Sequence, residues 1–150
     1  MKENFYPKLM YRIYCPKLKK FLKPAVIPID HPVTDTTTII VHDGPMILSF
    51  PMGELMVNQC CGLTDSNKKW IFEGDIISVE SHDTLIFHLP VVFVHGCFGA
   101  LKGREFIPFF EIGNRLKVET LVIIGDVYHN PELLNMRDPF VKEFKPGKPH

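Results

Sequence analysis

The chain reads as a mainly β protein with little helix, built as a barrel or sandwich of short strands. Three observations carry this. Stretches of five to seven β-branched and aromatic residues recur, with turn residues every eight to twelve positions, which is the rhythm of antiparallel strands and not of βαβ units. Thirteen prolines, and twelve phenylalanines against a single Trp in 150 residues, argue against long helices and a coiled coil. One segment alone writes a helix start, Asn130-Pro131-Glu132-Leu133-Leu134. There Asn is a cap, Pro suits the first helical position and Glu complements the dipole.

In chain order, Met10-Tyr11-Arg12-Ile13-Tyr14-Cys15 predicts a short strand closed by Pro16. Residues 25–29 and 36–42 predict two more, the second followed by the turn Asp43-Gly44-Pro45 and a hairpin return over 46–50. Residues 54–60 are ambiguous by periodicity, and their shortness favours a strand. Residues 69–72 lead through Glu73-Gly74-Asp75 into a strand at 76–80. Segments 83–88 and 91–95 are strand-like with a break at Pro90, and 104–112 and 118–124 complete the apolar stretches. Pro139 and Pro146-Gly147-Lys148-Pro149 end regular structure, so the last residues are expected to form a tail.

A chain of this length buries roughly two-thirds of its unfolded surface, so it needs neither disulfide nor metal for a core. No apolar run approaches the ~18 residues of a membrane span, and the basic first segment lacks the apolar stretch of a signal peptide. The expectation is a soluble, non-secreted protein with no membrane partner.

Net charge is zero but unevenly distributed. Residues 1–24 hold seven basic residues (Lys2, Lys8, Arg12, Lys17, Lys19, Lys20 and Lys23) against Glu3, a balance of +6, and the rest of the chain carries −6. Lysines of this kind protect edge strands. They also supply cations for phosphates, and Arg12, Lys17, Lys19, Lys20 and Lys23 are interleaved with Tyr6, Tyr11, Tyr14 and Phe21, whose faces suit bases. These five are the candidate nucleic-acid residues.

Four cysteines (Cys15, Cys60, Cys61 and Cys97) form no C-x-x-C pair. His95-Gly96-Cys97 is the tightest His/Cys grouping beside His82 and His88, so a zinc site or thiol centre would draw on His95, Cys97 and Cys60 or Cys61. Buried thiols acting as small hydrophobes are the alternative, and no cofactor is expected. Glu73 and Asp75 are the nearest carboxylate pair, and Gly74 between them points to a turn in which Asp75 accepts backbone N–H groups. The chain contains no G-x-S-x-G, P-loop or H-E-x-x-H sequence.

Two stretches resemble a known family. Gly62-Leu63-Thr64-Asp65-Ser66-Asn67-Lys68-Lys69-Trp70-Ile71-Phe72-Glu73-Gly74-Asp75-Ile76 is similar to the G-L-x-D-x-N-G-K-x-I-[YF]-E-G-D-I signature of YopX-like phage and prophage proteins. Ile123-Ile124-Gly125-Asp126-Val127-Tyr128-His129-Asn130-Pro131-Glu132-Leu133-Leu134 resembles that family's closing V-I-G-N-I-Y-E-N-P-E-L-L. A looser likeness falls on Tyr11-Arg12-Ile13-Tyr14 and Lys19-Lys20-Phe21. Lys68 replaces the family's Gly, and Asp126 and His129 replace its Asn and Glu.

The resemblance implies a small SH3-like barrel in the C-terminal half with a β-rich N-terminal subdomain. The expected division is 1–60, 61–134 with a closing short helix, and a tail at 135–150. Gly62, Leu63, Asp65, Asn67, Glu73, Gly74, Asp75, Gly125, Asn130 and Pro131 are its structural punctuation, and it carries no catalytic residue to transfer. It implies a mobile-element context in a bacterial cytoplasm. The expected function is a non-enzymatic accessory protein that binds a host or phage macromolecule, a protein rather than nucleic acid. The alternatives are nucleic-acid binding through the basic segment and a metal- or thiol-dependent enzyme around His95 and Cys97. Strand edges and the apolar stretch 106–112 leave room for a homo-oligomer.

Overall fold

The computed structural model describes residues 11–26 and 36–135. The chain divides into two compact units, Met1–Cys60 and Cys61–His150, and it is mainly β.

In the first unit, β1 (Tyr11–Cys15), β2 (Lys20–Val26), β3 (Thr38–Asp43), β4 (Met46–Pro51) and β5 (Met56–Thr64) lie in the order β4-β3-β2-β1-β5, with a 3₁₀ turn at Met52–Glu54. Period-2 alternation explains β3: Ile39 and Val41 are buried while Ile40 and His42 are exposed. Ile13, Cys15, Leu22, Ile39, Val41 and Leu55 form the core, with Leu48, Phe50, Met52 and Val57 against it.

The strand expected at 25–29 starts earlier, at Lys20, and 27–29 lie outside the described residues. The Lys-rich run is the turn of a β1–β2 hairpin, with Cys15 opposite Lys20 and Lys19 at φ +56°. Pro24 lies beyond the last β1 partner of β2, where no ladder bond to β1 is required of it.

β5 runs on past Cys60, and β6 (Trp70–Phe72) is the next strand in its sheet order. The second unit also holds β7 (Asp75–Ser81), β8 (Ile86–Val94), β9 (Cys97–Lys102), β10 (Glu105–Pro108), α1 (Phe109–Arg115) and β11 (Val118–Asp126), with a 3₁₀ helix at Pro131–Asn135. Five of these strands make an antiparallel sheet in the order β10-β9-β8-β7-β11. Its core is Ile71, Ile77, Val79, Phe87, Leu89, Val91, Ala100 and Ile107, closed by Ile112 and Leu116.

Three expectations are corrected here. Pro90 does not break the strand: it pairs with Ile76 as the last β8 residue in register with β7, and pairing with β9 begins at Val91. Proline is tolerated where the strand passes from one neighbour to the next. The apolar stretch 104–112 is only half strand, because Phe109–Arg115 is an α-helix. Phe109, Ile112 and Leu116 recur at helical spacing and pack on the core, while Glu111 and Arg115 suit the two ends of the dipole. The short helix expected from Pro131 is present as a 3₁₀ helix, and the corrected point is the cap: the Asn130 side chain accepts the Asp126 N–H instead.

Candidate functional site

The two motif stretches meet around β11, the last strand of the five-stranded sheet. β5 ends at Thr64, and the chain then turns on Asp65, whose Oδ1 accepts the N–H groups of Asn67 at 2.9 Å and Lys69 at 2.8 Å. The Asp65 N–H donates to the Lys69 carbonyl and the Lys68 N–H to the Asp65 carbonyl. Lys68 sits at φ +64°, the left-handed conformation that suits the glycine usual in the family. The other oxygen of Asp65 accepts the Ile123 N–H at 3.0 Å. Ser66 adds two bonds to β11: its N–H donates to the Leu121 carbonyl at 2.7 Å, and its Oγ accepts the Leu121 N–H at 3.0 Å. The turn thus covers edge groups of β11.

The second half of the motif works the same way. Asp75, 2% exposed, accepts the Phe72 N–H at 2.7 Å, with Gly74 between them at φ +89°. The Gly74 N–H donates to the Val91 carbonyl, and its own carbonyl accepts the Val127 N–H. Glu73 is half-buried beside them.

In the closing motif, Asp126 Oδ1 accepts the N–H groups of Tyr128 and His129 at 3.0 and 2.9 Å, and its Oδ2 lies 3.1 Å from His129 Nδ1. Asn130 Oδ1 accepts the Asp126 N–H at 3.2 Å. This side chain crosses Gly125 so closely that a Cβ there would stand 2.5 Å from its oxygen. Leu133, within the 3₁₀ helix that Pro131 opens, places its carbonyl 3.1 Å from His88 Nδ1.

Both aspartates are held below the ordinary carboxyl value. Burial opposes ionisation of Asp65, but the Ile123, Lys69 and Asn67 N–H groups and the Lys69 charge outweigh it. Burial likewise opposes ionisation of Asp126, and the His129 side chain and N–H, with the Tyr128 N–H, outweigh that. Most of these motif side chains act on the backbone. Gly62, at φ +82°, and the half-exposed Leu63 precede the Asp65 turn. Ser66, Ile123, Asp126, His129 and His88 complete the network. Of these, Ser66, Ile123, Asp126 and His129 lie inside the two motif stretches, and His88 lies outside them.

The His/Cys candidates do not come together as a centre. His95 and Gly96, at φ +51° and +77°, are the two-residue turn between β8 and β9, flanked by the pair Val94 and Cys97. Successive positive φ values are those of a type I′ hairpin turn. Cys97 Sγ donates to the Phe98 carbonyl at 3.4 Å, and Cys60 and Cys61 are half-buried. Among the described residues no group of three or more His, Cys, Asp or Glu is placed to hold a metal ion.

The basic candidates are partly engaged. Arg12 on β1 stacks over the Phe21 ring at 4.4 Å and faces Asn58 Oδ1 at 3.5 Å, while Tyr14 packs edge-on against Phe21 and is buried. Lys20 pairs with Asp43 at 2.6 Å. Lys17 and Lys19 lie exposed in the hairpin turn, and Lys23 is on β2 opposite His42. Large apolar side chains stand in solvent in both units, among them Ile47 at 67% and Met46 at 58% exposure, Trp70 at 50% and Phe110 at 77%.

This mainly β architecture, with motif aspartates and glycines committed to turns and an edge strand, is that of a known protein family. The YopX protein family profile matches residues 27–135, and the chain belongs to that family. Two solved structures are similar. Protein EF1440 from Enterococcus faecalis is 20% identical with a TM-score of 0.53, over 84% of this chain and 97% of that one. Protein yopX from Bacillus subtilis is 18% identical with a TM-score of 0.52, over 85% and 98%. At these identities the likeness is one of fold. No curated protein sequence matches the chain. No described helix is long and apolar enough to cross a membrane.

Proposed function

We propose that this YopX-family protein is a non-enzymatic phage or prophage accessory module. It would work in a bacterial cytoplasm by binding a host or phage macromolecule, a protein rather than a nucleic acid. The observation that carries this reading is the exposure of large aromatic anchors, Trp70 and Phe110. Aromatic side chains are enriched where proteins bind proteins. Nucleic acid is the weaker reading because Arg12 is spent on Phe21 and Asn58, and Lys20 on Asp43. We read the second unit as an SH3-like barrel, supported by its five antiparallel strands and the change of partner at Pro90.

The test is affinity capture from phage-carrying bacteria with the wild-type chain and a Trp70→Ala/Phe110→Ala variant. A protein held by the first and lost by the second supports the reading. Turnover of a common substrate class would overturn it. So would DNA or RNA binding that falls by orders of magnitude between roughly 50 and 200 mM salt and is lost when Lys17, Lys19, Lys20 and Lys23 are neutralised.

A further inference from the structure

The outer edge of β4 is unusual for a monomer. β4, Met46-Ile47-Leu48-Ser49-Phe50-Pro51, ends the sheet order and carries no charge. It carries large apolar side chains on both faces, with Ser49 its one polar residue. Leu48 and Phe50 rest on the core yet are only half-buried, and on the other face Ile47, paired with His42, is 67% exposed, with Ile40, paired with Ser49, diagonal to it at 45%. Edge strands that stay single are usually guarded by Lys, Pro or a bulge. Here the β3–β4 register runs without a shift from Asp43/Met46 to Thr38/Pro51, and Pro stands only at its end.

The hairpin fixes which backbone groups remain to be paired. Its two-residue connection makes Asp43 and Met46 a hydrogen-bonded pair, so Val41/Leu48 and Ile39/Phe50 also exchange bonds. Ile47 and Ser49 then turn their N–H and C=O groups away from β3. Among the described residues no strand lies on that side.

We propose that a second copy of this chain pairs there, β4 against β4 in antiparallel register about Leu48. Ile47 of each copy exchanges both hydrogen bonds with Ser49 of the other, the self-complementary arrangement that a two-fold axis requires. Leu48 meets its own copy, and the two half-covered cores, through Leu48 and Phe50, become continuous. An uncharged strand meets its copy without like-charge repulsion, and Asp43, paired with Met46 at the hairpin end, is already neutralised by Lys20. This goes beyond the proposed binding function and uses a surface other than Trp70 and Phe110, so either reading can fail without the other.

The test is sedimentation velocity and light scattering on the full chain across a concentration series, with Ser49→Pro and Ile47→Lys. The Ser49 N–H is not needed by β3, so Ser49→Pro removes an intermolecular bond while sparing the hairpin. Ile47→Lys acts independently on a side chain already in solvent. A wild-type dimer that both variants weaken by roughly tenfold or more, with unchanged circular dichroism, is expected. Amide exchange at Ile47 and Ser49 should slow with concentration. A wild-type chain that stays monomeric at high concentration overturns the proposal, as does a dimer unaffected by Ile47→Lys.

Discussion

Asp65 and Ile123 stand 58 positions apart, and the carboxylate of the first accepts the backbone N–H of the second at 3.0 Å. One side chain thus organises its own turn and ties that turn to the edge strand of the sheet. Asp65→Asn keeps the shape but weakens three charge-assisted bonds. It should cost about 1.5–3 kcal/mol at neutral pH, read from urea unfolding. An unchanged midpoint would mean that the turn is held by something else.

The same carboxylate sets an acid limit. Its folded-state pKa lies below the ordinary 3.8, as does that of Asp126. A depressed carboxyl contributes stability that is present above its unfolded value and is lost as pH falls through its folded value. Stability should therefore fall on acidification below pH 3.8, and more gently in Asp65→Asn, which has one such group fewer. Parallel acid curves for the two chains would contradict this assignment.

Lys68 occupies a left-handed conformation at φ +64°. A side chain there is strained by roughly 1 kcal/mol, partly offset by glycine's greater freedom when unfolded. Lys68→Gly should raise stability by a few tenths of a kcal/mol, up to about 0.6, visible as a higher urea midpoint at unchanged slope.

Gly125 leaves no room for a methyl group, since the Asn130 side chain lies across it. Gly125→Ala should destabilise by about 1–3 kcal/mol through overpacking. Asn130→Ala also loses the bond to the Asp126 N–H, yet it should recover part of the Gly125→Ala penalty in the double variant. Strict additivity in the double-mutant cycle would show that the two positions do not touch.

His95 and Gly96 form the turn between β8 and β9, where Asn-Gly is the preferred pair. His95→Asn should leave the fold intact or stabilise it by a few tenths of a kcal/mol. Zinc binding measured by titration should not change. A zinc affinity lost in this variant would revive the His95–Cys97 centre.

Much of the β framework was legible because its signals are local. Asp43-Gly44-Pro45 marked the hairpin, Glu73-Gly74-Asp75 the entry to β7, and the β-branched run from Thr36 to Val41 a strand. The helix at Phe109–Arg115 was overlooked although Phe109, Ile112 and Leu116 keep helical spacing, because the apolar run from Phe106 reads equally well as a strand. The turn after Cys15 is marked by Pro16, but the return strand that begins at Lys20 is not legible, because the Lys-rich run hides the pairing of Cys15 with Lys20.

The sequence by itself determined the turns at Asp43-Gly44-Pro45 and Glu73-Gly74-Asp75 and the place of Asp75 as an acceptor of backbone N–H groups, since each depends on a few neighbouring residues. Tertiary structure alone decided that Asp65 and Ser66 reach Leu121 and Ile123, that Pro90 marks a change of neighbour, and that Arg12 lies on Phe21. It also left an uncharged β4 at an open edge. A hydrogen bond or stacked ring between distant segments is set by which strands become neighbours, and strand order depends on how all the apolar faces are buried together.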